Sequence, residues 1–170
     1  MKETIRQVFI RRVEEYLSEY PVGLPTAPAL YSPASDEELA QLQSRSGVIW
    51  DSAYGDFLRI TDGMGGFEPT VLGVRDWIPG GLGESALRFL DDLRDMGIPE
   101  DVGVNPEEPL FPVAANTDCS VAVFMGELAE GVSARFWWVG MGDSFYFEDF
   151  PAVLRWIAGL ESGSPRDTLT

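Results

Sequence analysis

The sequence predicts an α+β domain with a mainly antiparallel sheet flanked by helices. Helical periodicity dominates residues 2–96, short apolar strand-like runs fill residues 110–149, and one more helical segment closes the pattern. At 170 residues, the chain can bury a core without a metal or disulfide staple. We expect a single domain over residues 1–170, divided into an N-terminal helix 2–20, a Pro-rich strap 21–34, a core 35–161 and a frayed tail 162–170.

The first predicted element is an amphipathic helix over residues 2–20. Its apolar residues recur at three- and four-residue spacing, with charges on the other side, and Pro21 ends it. Whether this helix docks on the acidic remainder through Arg11 and Arg12 stays open. The strap 21–34 contains four prolines. Its PTAP stretch has the PxxP pattern, but no flanking lysine or arginine, so a connector is the favoured interpretation.

Capping signals define the next two helices. Ser35 and Glu38 form a capping box, and the helix they open is expected to stop at Gly47. Asp51 can cap a third helix that runs from Ser52 to about residue 61. Its buried side should carry Tyr54, Phe57, Leu58 and Ile60.

A strand, a helix and a loop are predicted for the middle of the chain. Residues 70–78 have strand composition, although Gly73 weakens it. Residues 84–96 place leucines at helical spacing and predict a fourth helix. Residues 97–109 are rich in glycine, proline and acidic residues, and they predict a long acidic loop.

Four strands and a closing helix are predicted for the last third. The strand runs are residues 110–115, 120–126, 134–140 and 144–149, separated by turn residues. Alternation puts Phe136 and Trp138 on one face and Trp137 on the other, which could build a sugar-stacking platform. Cover by helices is the favoured interpretation. The last helix should begin near residues 149–151, with these residues facing inward: Phe150, Val153, Leu154, Ile157 and Leu160.

Composition narrows the classes of partner. The formal net charge is −16, and Lys2 is the only lysine. The charges of residues 1–20 cancel, so the negative charge lies in residues 21–170. Such a field repels nucleic acids and anionic membranes and attracts cationic proteins, although solubility alone would also account for it. With one cysteine and no signal-peptide or transmembrane stretch, a cytoplasmic protein is expected.

Catalytic signals are weak. The chain contains no histidine, so Ser–His–Asp and Cys–His sites are impossible. Cys119 begins an apolar strand and is interpreted as an inert thiol. The glycine clusters 63–66 and 79–83 lack phosphate-binding patterns, and no metal-binding or cofactor motif occurs. A hydrolase that uses carboxylates alone remains an alternative, and it requires two carboxylates converging in a pocket.

Residues 84–108 contain the densest charge imbalance, with eight acidic residues against Arg88 and Arg94. We expect this segment and the neighbouring tryptophan loop to bind a protein partner, because an aromatic residue beside an acidic rim is a plausible hot spot. A merely solvated acidic surface is the alternative. The candidate contact residues are Trp77, Glu84, Asp91, Asp92, Asp95, Glu100, Asp101, Glu107 and Glu108.

The stretch SDEELAQLQSRSGVIWDSAYGDFLRITDGMGGF resembles the SUKH superfamily, whose pattern is "eeeI..le...g..LP..Y..fl...NGg". The resemblance covers residues 35–161 diffusely. Trp50–Asp51 replaces the usual Leu-Pro, Asp62 replaces the usual asparagine, and residues 84–109 look like an insertion. Asp62–Gly63 is expected to form a left-handed helix cap. The matching positions are Glu37, Glu38, Leu39, Leu42, Gly47, Tyr54, Phe57, Leu58, Asp62 and Gly63.

The resemblance implies a non-catalytic protein-binding module. The superfamily includes a fungal cell-wall assembly regulator and many bacterial immunity proteins, which neutralise a cognate toxin, often a nuclease, by direct binding. An immunity protein with an acidic face for a basic toxin is therefore the leading hypothesis. The alternative is a regulatory scaffold for an unrelated protein or peptide. The oligomeric state stays open.

Overall fold

Helices cover both faces of a seven-stranded antiparallel sheet in the computed structural model, which describes residues 1–19, 26–160 and 165–169. The strands lie in the sheet in chain order, and each pairs with its sequence neighbours. The predicted α+β class with a mainly antiparallel sheet is confirmed.

The elements follow the chain without crossovers between strands. The helices are α1 (Lys2–Glu19), α2 (Asp36–Ser46), α3 (Ser52–Leu58), α4 (Leu82–Asp95), α5 (Ile98–Asp101) and α6 (Phe150–Ile157). The strands are β1 (Ala29–Leu30), β2 (Met64–Gly65), β3 (Thr70–Val71), β4 (Leu110–Ala115), β5 (Val121–Gly126), β6 (Phe136–Gly140) and β7 (Asp143–Phe147). A 3₁₀ turn spans Val74–Trp77.

The predicted caps of α2 and α3 are present. The Ser35 hydroxyl accepts the N–H of Glu38 (3.3 Å), and the Glu38 carboxylate accepts the N–H of Ser35 (2.8 Å). Gly47 ends α2 with a positive φ of 71°. The Asp51 carboxylate caps α3 by accepting backbone N–H groups. However, α3 ends at Leu58, three residues before the predicted end.

Asp62 and Gly63 do not form the predicted cap of α3. Gly63 has a φ of 86°, but it lies beyond the end of α3, in the turn that enters β2. A Cβ at Gly63 would lie 2.8 Å from the Val71 carbonyl oxygen, so only glycine fits there. The Asp62 carboxylate accepts the N–H groups of Val74 (2.5 Å) and Arg75 (3.2 Å). Asp62 therefore starts the 3₁₀ turn.

The strand predicted for residues 70–78 is wrong beyond β3. The backbone leaves the sheet near Gly73, whose N–H donates to the Asp76 carboxylate (2.8 Å). Together with Asp62, this bond offers the backbone an alternative to ladder hydrogen bonds and bends it into the 3₁₀ turn.

Two segments are more ordered than predicted. The expected loop 97–109 contains α5, which begins after Gly97 (φ 73°) and has Pro99 in its first turn. The expected frayed tail 162–170 is also partly docked. In its described part, the Arg166 carbonyl accepts the N–H of Tyr146 (2.9 Å), and Leu169 is buried.

The strap and the adjoining chain are only partly described. The predicted end of the first helix and the first part of the strap, residues 20–25, lie outside the described residues. In the later part of the strap, the Ala29–Leu30 segment forms β1 at the sheet edge.

Each face of the sheet has its own core. The first core joins α1, α2, α3 and α6 around Tyr54, Phe136 and Phe150. The second joins α4, α5 and residue 169 around Phe124 and Trp137. The predicted alternation of the aromatic residues in β6 is confirmed, and helices cover both faces. Ile157 is half-buried, and Leu160 is exposed rather than inward, because α6 ends before it.

The first helix docks on the first core. Ile5 and Val8 are buried, and the Arg12 guanidinium donates to the Gly66 carbonyl (2.8 Å) and lies over the Phe67 ring. Arg11 stays exposed beside Glu15. Among the described segments, no helix combines the length and apolar character needed to cross a bilayer.

Candidate functional site

An outward-facing set of carboxylates follows from the way α4 packs. Helix α4 turns Ala86, Leu90 and Leu93 toward the second core, so its acidic residues project to the other side. Exposed carboxylates continue along α5 and the following loop. We define the acidic face as these exposed residues: Asp91, Asp92, Asp95, Glu100, Asp101 and Glu107.

Two of the predicted acidic contact residues are half-buried and make hydrogen bonds within the fold. Glu84 is half-buried, and its carboxylate accepts the N–H of Gly80 (2.8 Å), which closes the turn before α4. Glu108 is half-buried, and its carbonyl accepts from the Arg94 guanidinium (2.8 Å). Glu84 and Glu108 are therefore less accessible than the residues of the acidic face.

The cations of this segment neutralise little of the acidic face. Arg94 is half-buried against the Glu108 carbonyl, and its contact with the Asp91 carboxylate is long (3.8 Å). Arg88 donates to the Ser85 hydroxyl (3.0 Å). Within the described part of the chain, Asp91 is thus the one residue of the acidic face with an ion pair. The face keeps a negative potential that can steer a cationic partner.

Trp77 contributes to packing. Its ring stacks on Phe111 with centroids 4.5 Å apart and planes 12° from parallel. Gly83 of α4 lies so close that a Cβ there would be 2.7 Å from the indole. The indole nitrogen is buried and has no hydrogen-bond partner among the described residues. Trp77 is half-buried, and it anchors the start of α4 to the core.

An open depression of about 540 Å³ adjoins the acidic face and contains Arg88, Asp118 and Cys119. Burial, and next the Asp118 charge, raise the pKa of the Cys119 thiol. The N–H and hydroxyl of Ser120 donate to Asp118 and lower the pKa of its carboxyl. A thiol held protonated is a poor nucleophile, and a carboxyl held ionised is a poor general acid.

Asp62 and Asp76 form a second cluster of carboxylates, beside Tyr54. Burial raises the pKa of Asp76, and burial also raises the pKa of Tyr54, helped by the charges of both carboxylates. The Tyr54 hydroxyl donates to the Leu72 carbonyl (3.2 Å). Both carboxylates accept backbone N–H groups of residues 73–75, so this cluster holds the turn between β3 and α4.

No metal centre is evident in the described ranges, because they contain no grouping of three or more histidine, cysteine, aspartate or glutamate side chains suited to an ion.

An apolar groove beside the acidic face was not predicted from the sequence. It has a volume of about 410 Å³ and lies between α4–α5 and the β6–β7 hairpin. Met96 and Met141 stand at its mouth and are 63% and 87% exposed. The groove is lined chiefly by Phe89, Leu93, Met96, Ile98, Val102 and Met141.

Met141 occupies an unusual backbone position. Gly140 pairs with Asp143, so Met141 and Gly142 form a two-residue hairpin turn, with φ of 53° and 88°. This is the geometry of a type I′ turn, where Asn-Gly is the usual sequence. A side chain such as methionine in this region costs about 1–2 kcal/mol. Methionine is therefore unusual at this position, where the turn favours asparagine.

Comparison with known proteins yields no match, either among protein-family models or among curated proteins.

Proposed function

We propose that this protein is a non-catalytic binding module that recognises a basic partner protein through the acidic face. The observation that carries the proposal is the display of six exposed carboxylates on α4, α5 and the loop after α5, of which one, Asp91, has an ion pair within the described residues. Complementary charge accelerates encounter and selects partners of opposite sign.

The resemblance to the SUKH superfamily supports a more specific role as an immunity protein. In that role the partner is a cognate toxin. A nuclease is a suitable candidate because the surface with which it binds nucleic acid is basic. The acidic face would cover the nucleic-acid-binding surface of the toxin and neutralise the toxin by direct binding, with no turnover.

Co-purification from the native host at low ionic strength tests the proposal. The expected result is a basic protein that binds one-to-one, is released as salt rises, and loses its toxic or nuclease activity in the complex. Recovery of a partner whose binding does not depend on salt would contradict recognition through the acidic face.

Charge-neutral variants locate the contact. We expect Asp91→Asn/Asp92→Asn/Asp95→Asn to slow association with the partner by about tenfold and to weaken its salt dependence. The matched control is Glu14→Gln/Glu37→Gln/Asp56→Asn, which removes the same charge from exposed positions on α1, α2 and α3, over the opposite sheet face. Equal effects of the two triple variants would show that net charge, and not the acidic face, governs binding.

A further inference from the structure

We propose that the apolar groove is the specificity pocket of the acidic face and receives one large apolar side chain from a lysine- or arginine-rich segment of the partner. This inference rests on the proposed function and adds the chemistry of the segment that is bound.

The groove has the shape and lining of a side-chain pocket. Its volume of about 410 Å³ exceeds that of any single side chain, and its walls are mostly aliphatic, aromatic and thioether groups. Leu93 and Val139 form its floor, where they join the second core. The floor is therefore rigid, since it belongs to the packed interior.

The mouth of the groove is adaptable. Met96 follows α4 and Met141 lies in the β6–β7 turn; both line the groove, and both are largely exposed. Unbranched thioether side chains can close over apolar ligands of different shape. Because both methionines are exposed, they contribute little to the packing of the isolated fold. Their position beside an apolar depression favours an apolar occupant.

The backbone at Met141 strengthens this argument. Its positive φ of 53° is unfavourable for a methionine, whereas asparagine or glycine would suit the turn. A strained and exposed apolar residue lowers the stability of the free protein. Strain of this kind is typical of positions where a side chain serves recognition.

The carboxylates around the groove indicate that the partner segment on either side of the bound apolar side chain is positively charged. Asp101 and Asp143 are exposed and line the groove, and no lysine or arginine occurs among the described residues that line it. Asp95 of the acidic face immediately precedes Met96. If the partner places an apolar side chain in the groove, lysine or arginine residues next to it in the partner sequence would lie near these carboxylates and could form ion pairs with them. A second copy of this chain fits poorly, because both copies carry a net charge of −16.

Methyl NMR can test the groove directly. The chain has five methionines, and Met64 and Met125 are fully buried, so they serve as internal controls for [ε-¹³C]methionine labelling. The probes are two synthetic peptides of equal charge, acetyl-Lys-Lys-Leu-Lys-Lys-amide and the same peptide with serine at the centre. We expect the leucine peptide to shift the Met96 and Met141 methyl signals and to bind about tenfold more tightly.

The outcomes separate the two proposals. Equal binding of both peptides, with unmoved Met96 and Met141 signals, would overturn the groove proposal and leave the acidic face as a basic-partner site. If neither peptide binds, both proposals fail. Shifts of the same signals with protein concentration alone would identify a second copy as the occupant and overturn the groove proposal.

A substitution tests the groove with the natural partner. Met141→Asn removes the apolar side chain at a turn that favours asparagine, so the fold is kept. We expect about tenfold weaker binding of the co-purified partner, through faster dissociation, with an unchanged salt dependence. Leu17→Gln, an exposed position on α1, is the matched control and should bind as wild type. Equal affinity of wild type and Met141→Asn would overturn the proposal.

Discussion

At the tip of the β6–β7 hairpin, Met141 adopts a conformation that its side chain disfavours. We expect Met141→Asn to raise the free energy of unfolding by about 1 kcal/mol, because asparagine tolerates a positive φ far better than methionine does. Urea unfolding measures the change. Met141→Gln is the control, since it removes the exposed apolar group without relieving the backbone. A similar increase in the free energy of unfolding for Met141→Gln would show that loss of the exposed apolar side chain, and not relief of the turn backbone, causes the effect.

Asp76 gives a pH-dependent prediction at the same scale. Burial raises the pKa of its carboxyl, against the opposing hydrogen bond from the Gly73 N–H. Between its ordinary value and this raised value, the folded state binds more protons than the unfolded state. The contribution of Asp76 to the free energy of unfolding therefore falls as pH rises through that window.

Asp76→Asn isolates this effect, because the amide oxygen can still accept from Gly73 but cannot titrate. We expect the unfolding free energy of wild type minus that of Asp76→Asn to decrease as pH rises from about 4, and to level off once the native carboxyl is ionised. Urea titrations at several pH values measure it. A difference that grows with pH would contradict the assigned direction of the pKa shift.

Helix α1 is expected to stabilise the fold by docking on the first core. Its docking depends on an apolar side, on which Ile5 is 3% exposed, whereas Ile10 on the same helix is 43% exposed. We expect Ile5→Ala to lower the free energy of unfolding by about 2–3 kcal/mol and Ile10→Ala by well under 1 kcal/mol. Denaturant unfolding compares the two. Equal and small effects would mean that α1 does not stabilise the domain.

The elements that sequence patterns predicted well are those specified by local signals. Strands β4 to β7 match because their apolar runs are bounded by turn residues, and α2 matches because its capping box and Gly47 mark both ends. The strand predicted for residues 70–78 failed because Asp62, which lies upstream in sequence, supplies the cap that ends it. A hydrogen bond between residues so far apart in sequence does not change the pattern of apolar and polar residues, so the pattern could not predict it.

The candidate site was predictable in part for the same reason. The helical spacing of the leucines in α4 indicated that Asp91, Asp92 and Asp95 lie on the helix surface. The positions of Glu84, Glu108 and Trp77 depend instead on contacts outside the helix. The groove could not be predicted, because its walls come from α4–α5 and the β6–β7 hairpin, which meet only in the folded chain.

For the whole molecule, the net charge of −16 means that the compact state is opposed by self-repulsion. We expect an increase in sodium chloride from about 0.01 M to 0.5 M to raise the free energy of unfolding by on the order of 1 kcal/mol. Thermal or urea unfolding at both salt concentrations measures it. Near the isoelectric point of about 4.1 the effect should largely disappear, and its persistence there would assign it to specific ion binding.

The order of the strands has a consequence for how the chain acquires its structure. Each strand pairs with the strand made just before it, so the sheet can grow in the direction of synthesis. Helix α1 is different, because it packs against α6 at the other end of the chain. In pulse-labelled hydrogen exchange during refolding, we expect amides of β4 to β7 to become protected before those of α1. The first helix to be synthesised would then be the last to find its place.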